Sequence, residues 1–180
     1  MVHHATSELR RILEPELPDR RFPSRYLETN DGQVRLRLPP GSWMDFIAFE
    51  RALKEQDWEQ ALALYGGEFL PEYRYAEWAA APREDWEMGL RTALLALAHN
   101  RLSRKDDASA LDFARRLIAL DPWHEEAVLA AMRACQGLND LSLARRLYRR
   151  LEATLADELG IEPQENLQAL YRSLDRRRRA

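Results

Sequence analysis

Cysteine is nearly absent from this chain: Cys135 stands alone among 180 residues, which excludes an internal disulfide framework. Long apolar runs are missing as well. With no stretch of about 18 apolar residues and no signal-like segment, neither a membrane-spanning helix nor a leader is expected, and the expected location is cytoplasmic. Charge of one sign is not in excess either. Lys and Arg number 27 against 30 Asp and Glu, a formal net charge of −3, so any nucleic-acid contact has to come from a local basic patch. The glycines form no phosphate-cradling loop, because Gly66-Gly67 follows a helical stretch instead of opening one and reads as a helix stop. Histidine is scarce. His3 and His4 are adjacent and point in different directions, and His99 and His124 lack a partner at metal-ligand spacing. Cys135 falls in an apolar stripe and reads as a buried structural thiol. No metal, cofactor or catalytic residue is expected, and the chain does not read as an enzyme.

What the sequence does have is helix. Apolar residues recur at helical spacing in seven stripes: Phe46 to Leu53, Trp58 to Tyr65, Leu90 to Ala98, Ala110 to Leu117, Val128 to Cys135, Ala144 to Leu155, and Leu167 to Leu174. Two start signals accompany them. Ser42 stands three residues before Asp45, and Asp121-Pro122 reads as a capping carboxylate before a proline at the first helical position. Short connections predict antiparallel neighbours. Ala110 and Ala144 lie 34 residues apart, and the same offset relates Asp106 to Asp140, Arg115 to Arg149 and Leu117 to Leu151. That is the period of tetratricopeptide helix pairs. Ala61, Ala110 and Ala144 are expected where two helices approach closely. Tyr65 and Tyr148, each four residues further on, are expected to fill the next gap.

Near the N-terminus the pattern changes. Val34, Leu36 and Leu38 alternate with Gln33, Arg35 and Arg37 after an Asn30-Asp31-Gly32 turn, which predicts a β-hairpin. Before it, Ala5, Leu9, Ile12 and Leu13 form one face of a helix, with His3, Thr6, Ser7 and Arg10 on the opposite stripe and Arg11 beside them. The apolar faces of helix and hairpin are expected to cover each other. A lone two-stranded hairpin is marginal in water, so this small subdomain is expected to dock further, through Phe22, Trp43 and Phe46 or on a second chain. The expected fold is therefore all-α: a tetratricopeptide-like right-handed array of about seven helices, preceded by a helix and a hairpin.

The stretches "LYGGEFLPEYRYAEWAAAPRE", "ALDPWHEEAVLAAMRA" and "LYRRLEATLADELGIEPQENLQALYRSL" carry a resemblance. Leu64-Tyr65-x-Gly67, Glu77-Trp78 with Arg83, Asp121-Pro122-x-x-Glu125 and Glu158-Leu159-Gly160-Ile161-Glu162-Pro163 together resemble the bacterial transcriptional activator domain of the antibiotic-regulatory-protein type of regulators. One departure is Arg104-Lys105, where that family often has a glycine between the helices of a repeat. In such regulators a winged-helix DNA-binding domain precedes the activator domain. The resemblance therefore implies that residues 1–40 are the last part of a winged helix, with a recognition-like helix and a wing, and that residues 41–180 are the activator domain.

It also implies partners: DNA in the intact protein, RNA polymerase or a partner regulatory domain, a homodimer as one form, and no membrane. Thr6, Ser7, Arg10 and Arg11 would face bases or backbone, and Arg35 and Arg37 of the wing would contact phosphates. Among the aromatics, Trp58, Tyr65, Phe69, Trp78 and Trp86 are expected to pack helix on helix. Tyr73 and Tyr75, which follow Pro71 in an irregular segment, are the expected protein-contact residues. The other reading from the residues is a stand-alone helical-repeat adaptor that never touches DNA. The Arg176 to Arg179 run reads as a helix end favoured by the dipole.

Overall fold

Three turns of the same construction organise the helices. In each, a non-glycine residue takes the left-handed conformation (Gln56 at φ 58°, Lys105 at 59°, Asn139 at 58°) and an aspartate follows it. The aspartate N–H returns to the carbonyl five residues back: Asp57 to Ala52 at 2.9 Å, Asp106 to Arg101 at 3.0 Å, Asp140 to Cys135 at 2.9 Å. The left-handed residue itself bonds three back, to Leu53, Leu102 and Gln136. This is the Schellman pairing that satisfies the last carbonyls of a helix. Each aspartate then caps the next helix, its side chain accepting the N–H of Gln60, Ser109 or Leu143. The turn at Arg104-Lys105 thus keeps its form without a glycine.

The computed structural model describes residues 2–16, 24–30 and 33–179, with side chains for 6–16, 24–30 and 33–174. It divides into two compact units, Met1–Met44 and Asp45–Ala180. The second unit contains seven α-helices, matching the seven stripes: α2 (Asp45–Lys54), α3 (Trp58–Leu64), α4 (Ala80–Ser103), α5 (Asp107–Leu120), α6 (Glu125–Gly137), α7 (Leu141–Leu159) and α8 (Glu165–Arg179). The three like turns join α2 to α3, α4 to α5 and α6 to α7. Consecutive helices pack together, and α2 also meets α4 as α4 meets α6, which is the stacking of helix pairs in a repeat array. No described helix is long and apolar enough to cross a membrane.

Small residues set the closest approaches. Ala61, Ala110 and Ala144, each four residues after a capping aspartate, are fully buried. One turn on, Tyr65 stacks near Trp86 at 5.5 Å and Tyr148 stacks on Tyr171 of α8 at 4.2 Å, whereas α5 has buried Ala114 at the equivalent place. Gly89 lets α2 approach α4, since a Cβ there would stand 2.5 Å from Leu53 and 2.7 Å from the Phe49 ring. The larger core runs from α4 to α8 around Leu94, Leu117, Met132, Leu151 and Leu167; a smaller one joins α2, α3 and α4 around Phe49, Ala61 and Trp86.

One expected start signal is not the one used. Asp121 ends α5 and accepts the Trp123 N–H at 3.2 Å, while His124 caps α6 by accepting the Ala127 N–H on Nδ1 at 3.3 Å. The reason is the wide turn after Asp121, which places Pro122 ahead of the helix and not at its first position. At α2 the Asp45 carboxylate accepts the Phe46 N–H at 2.8 Å.

The first unit holds α1 (Val2–Leu13) and an antiparallel pair, β1 (Leu27–Asn30) with β2 (Gln33–Leu36), in the register Leu27 to Leu36 and Asn30 to Gln33. The turn residues Asp31 and Gly32, and Phe22, lie outside the described residues. The expected mutual cover between helix and hairpin is not formed: Leu9, Ile12, Leu13, Val34, Leu36 and Leu38 are 38% to 73% exposed. Buried instead are Leu27, Thr6 and Glu14. Glu14 supplies the reason. Its carboxylate accepts the Ser24 hydroxyl and, at 3.0 Å, the Arg25 N–H, so a polar tie between helix end and hairpin start turns the stripe of Thr6, Arg10 and Glu14 inward.

Candidate functional site

Two places carry the residues singled out by sequence: the arginine-bearing face of the first unit and the aromatic segment between α3 and α4. In the first unit Ser7, Arg11, Arg35 and Arg37 are exposed, Arg10 is half-buried, and Thr6 is only 5% exposed. Thr6 therefore does not belong to an open polar stripe, because the helix rolls it inward with Glu14. Arg11 pairs with Glu8 at 3.1 Å on the surface. Across the hairpin Glu28 stands opposite Arg35 and accepts a bond from Arg37 at 2.7 Å, so one carboxylate partly offsets the two wing arginines.

A cleft of about 520 Å³ opens beside this tie, with Arg10, Arg25 and Arg37 in its walls and Glu28 among them. Three guanidiniums line this one concavity beside a single carboxylate, Glu28, and guanidinium N–H groups suit phosphate oxygens. Arg25 was not among the sequence candidates; its position two residues before the first strand was the available signal. The Glu14 carboxyl lies below its ordinary range, chiefly through the Ser24 hydroxyl and then the Arg25 N–H and nearby positive charge, against the opposing effect of burial. It stays ionised and keeps the tie closed.

In the second unit, residues 65–79 run through two short 3-10 turns, Pro71–Tyr73 and Glu77–Ala79. Tyr75 is 95% exposed and Tyr73 55%, as expected, and they come with Trp78, which is 64% exposed and lies 5.8 Å from the Tyr73 ring. Trp78 was expected to pack between helices; it is displayed instead, because the short turn that leads into α4 buries Ala79 and leaves the neighbouring indole on the outside. Arg83 anchors this display. Its guanidinium donates to the carbonyls of Phe69, Tyr73 and Arg74 at 3.2 to 3.3 Å and sits 3.7 Å from Glu68. Trp86 pins the other end, donating from Nε1 to the Gly67 carbonyl at 2.8 Å.

The remaining motifs find structural roles. Glu125 accepts the Gln164 N–H at 2.6 Å, tying the start of α6 to the start of α8. Gly160, at φ 66°, closes α7, and the N–H of Ile161 reaches the Leu155 carbonyl at 3.4 Å. Nucleophilic chemistry has no support at Cys135: burial pushes its thiol up to about 11, so it stays protonated and unreactive. Among the described residues no group of three His, Cys, Asp or Glu side chains could hold a metal ion.

Comparison with known proteins places this geometry. The structure of Mycobacterium tuberculosis EmbR in complex with a low-affinity phosphopeptide is similar, with a TM-score of 0.69 and 24% sequence identity over 98% of this chain and 49% of that one. The chain thus spans about half the length of that protein, and the likeness establishes the fold. No curated protein matches the sequence. The sequence pattern of the bacterial transcriptional activator domain matches residues 48–175, from inside α2 to near the end of α8. With most of its length matched in this way, the chain belongs to the bacterial transcriptional activator domain family.

Proposed function

We propose that this chain is the contact domain of a cytoplasmic transcription regulator, in which the helical array meets RNA polymerase, a partner regulatory domain or a second copy while a winged helix reads the promoter. Residues 1–40 are then the closing elements of that reader, and residues 41–180 are the activator domain. The family match over 48–175 carries the reading. The exposed aromatic segment supports it by offering Tyr73 and Tyr75, with Trp78, to a protein partner. The arginine-walled cleft supports the DNA side: Arg10, Arg25 and Arg37 suit phosphates, with Ser7, Arg11 and Arg35 exposed on the same unit. Thr6, being buried, positions the helix. The role is non-catalytic and takes no cofactor.

The test compares this chain with the same chain joined to a complete winged helix. Recognition needs a supported helix in the groove and several phosphate contacts. The chain alone should therefore shift duplex DNA weakly and without sequence preference at physiological salt. The joined protein should select one sequence. Equal, unselective binding by both would favour a stand-alone adaptor.

A further inference from the structure

A second cleft, of about 250 Å³, lies in the helical unit where α2, the segment after α3 and the first turns of α4 meet. Its apolar lining is mostly aromatic, with Phe46, Phe49, Phe69 and Trp86 beside Leu53 and Pro82. Phe46 and Phe69 are half-buried and meet edge to face at 6.4 Å, and Trp86 stands behind them, 6.0 Å from Phe69. Two carboxylates, Glu50 on α2 and Asp85 on α4, complete the lining, and both are exposed.

The charges around this cleft are unevenly used. Glu68 is taken by Arg74 at 2.9 Å and by Arg83, Arg51 is taken by Glu55 at 2.8 Å, and Glu87 by Arg91 at 3.4 Å. Glu50 and Asp85 have no hydrogen bond or ion pair among the described residues. Aromatic faces with unmatched carboxylates at their rim form a site for an organic cation, attracted by the ring quadrupoles and by the negative charge. A planar guanidinium uses both features, stacking on a ring while its N–H groups fork to a carboxylate, which a compact ammonium does less well. The volume falls below the roughly 300 to 1,000 Å³ of small-molecule pockets. It suits one inserted side chain.

We propose that this cleft is a docking site for an arginine side chain presented by a segment of a partner protein. The site is separate from the Tyr73–Trp78 surface and does not depend on any DNA-reading role. It gives the family's helical array a second, charge-selective contact.

The full chain is titrated with the capped pentapeptide Ala-Ala-Arg-Ala-Ala, and the Trp86 indole N–H is followed by NMR. Parallel titrations use peptides carrying lysine, citrulline or glutamate in place of arginine. Arginine should bind best, lysine more weakly, and citrulline and glutamate not at all. Glu50→Gln with Asp85→Asn, two exposed changes that leave the helical signal and melting temperature in place, should weaken the arginine peptide by about tenfold or more, as should raised salt. Unchanged affinity in that double variant, or equal binding of the citrulline peptide, would overturn the proposal. So would self-association of the chain lost on removing residues 176–180, which would make the occupant a second copy.

Discussion

Replacing Gln56 or Lys105 by glycine should stabilise the protein. Both sit at φ near 58°, close the first helix of a pair, and have exposed side chains, so what changes is the backbone. Holding an L-residue in the left-handed region costs roughly 1 to 2 kcal/mol, which glycine avoids. Against this, glycine loosens the unfolded chain, at about 0.4 to 1 kcal/mol. The difference favours Gln56→Gly and Lys105→Gly by about 0.5 to 1 kcal/mol each. Asn139 has the same φ, but asparagine tolerates that conformation, so Asn139→Gly should change stability by less than either. Guanidinium unfolding followed by far-UV circular dichroism reads the outcome as a raised midpoint at constant slope. A chain of this length should also gain about 2 to 4 °C in melting temperature per kcal/mol. If Lys105→Gly destabilises, or if Asn139→Gly gains as much as the other two, the three turns are not held by the pairing described.

Cys135 should resist a thiol reagent at pH 8 in the native state and react at once in denaturant, because burial first, and Asp140 second, push its thiol up to about 11; rapid native labelling would contradict the core placement. Glu14 gives the first unit an acid limit. Its folded pKa is lowered, so the stability it contributes is complete above the ordinary carboxylate range and disappears as pH falls through the lowered folded value; an acid titration of the Ser24 and Arg25 amide signals should show the tie opening there, and in Glu14→Gln that transition should vanish. Arg83→Lys keeps the charge but loses the fork to three carbonyls, so cleavage of the native protein between Leu70 and Ala79 should rise several-fold without loss of helical signal; an unchanged rate would show that the segment is held by other contacts.

The helical part was legible because its signals are local and repeated. A stripe such as Ala144 to Leu155 predicts a buried face wherever the helix packs, and the 34-residue offset marks Ala110 and Ala144 as equivalent before any coordinates exist. The capping aspartates at 106 and 140 were visible as a matched pair, but the left-handed residue before Asp106 was not, since Lys105, like Gln56 before Asp57, is of a type that seldom takes that conformation. Asp121-Pro122 misled for a related reason: a capping residue is identified by the turn before it, and here the turn is longer than the dipeptide suggests. The first unit was the least legible part. Its apolar spacing pointed Leu9 and Ile12 inward, yet the fold is decided by the hydrogen bonds of Glu14 with Ser24 and Arg25, ten and eleven residues away, and spacing does not report such bonds. Trp78 was missed because a large aromatic reads as core, and spacing does not show that the turn before α4 buries Ala79 and leaves its neighbour outside.

The central claim is that the helical array makes the protein contacts of a transcription regulator, and run-off transcription with purified polymerase tests it most directly. The intact regulator, a version ending at residue 44 and a Tyr73→Ala, Tyr75→Ala variant are compared at concentrations that give equal promoter occupancy. The account predicts that the intact protein activates, that the truncated one occupies the promoter without activating, and that the tyrosine variant falls between them. Full activation by the truncated protein would place the polymerase contact outside the helical array and contradict the account.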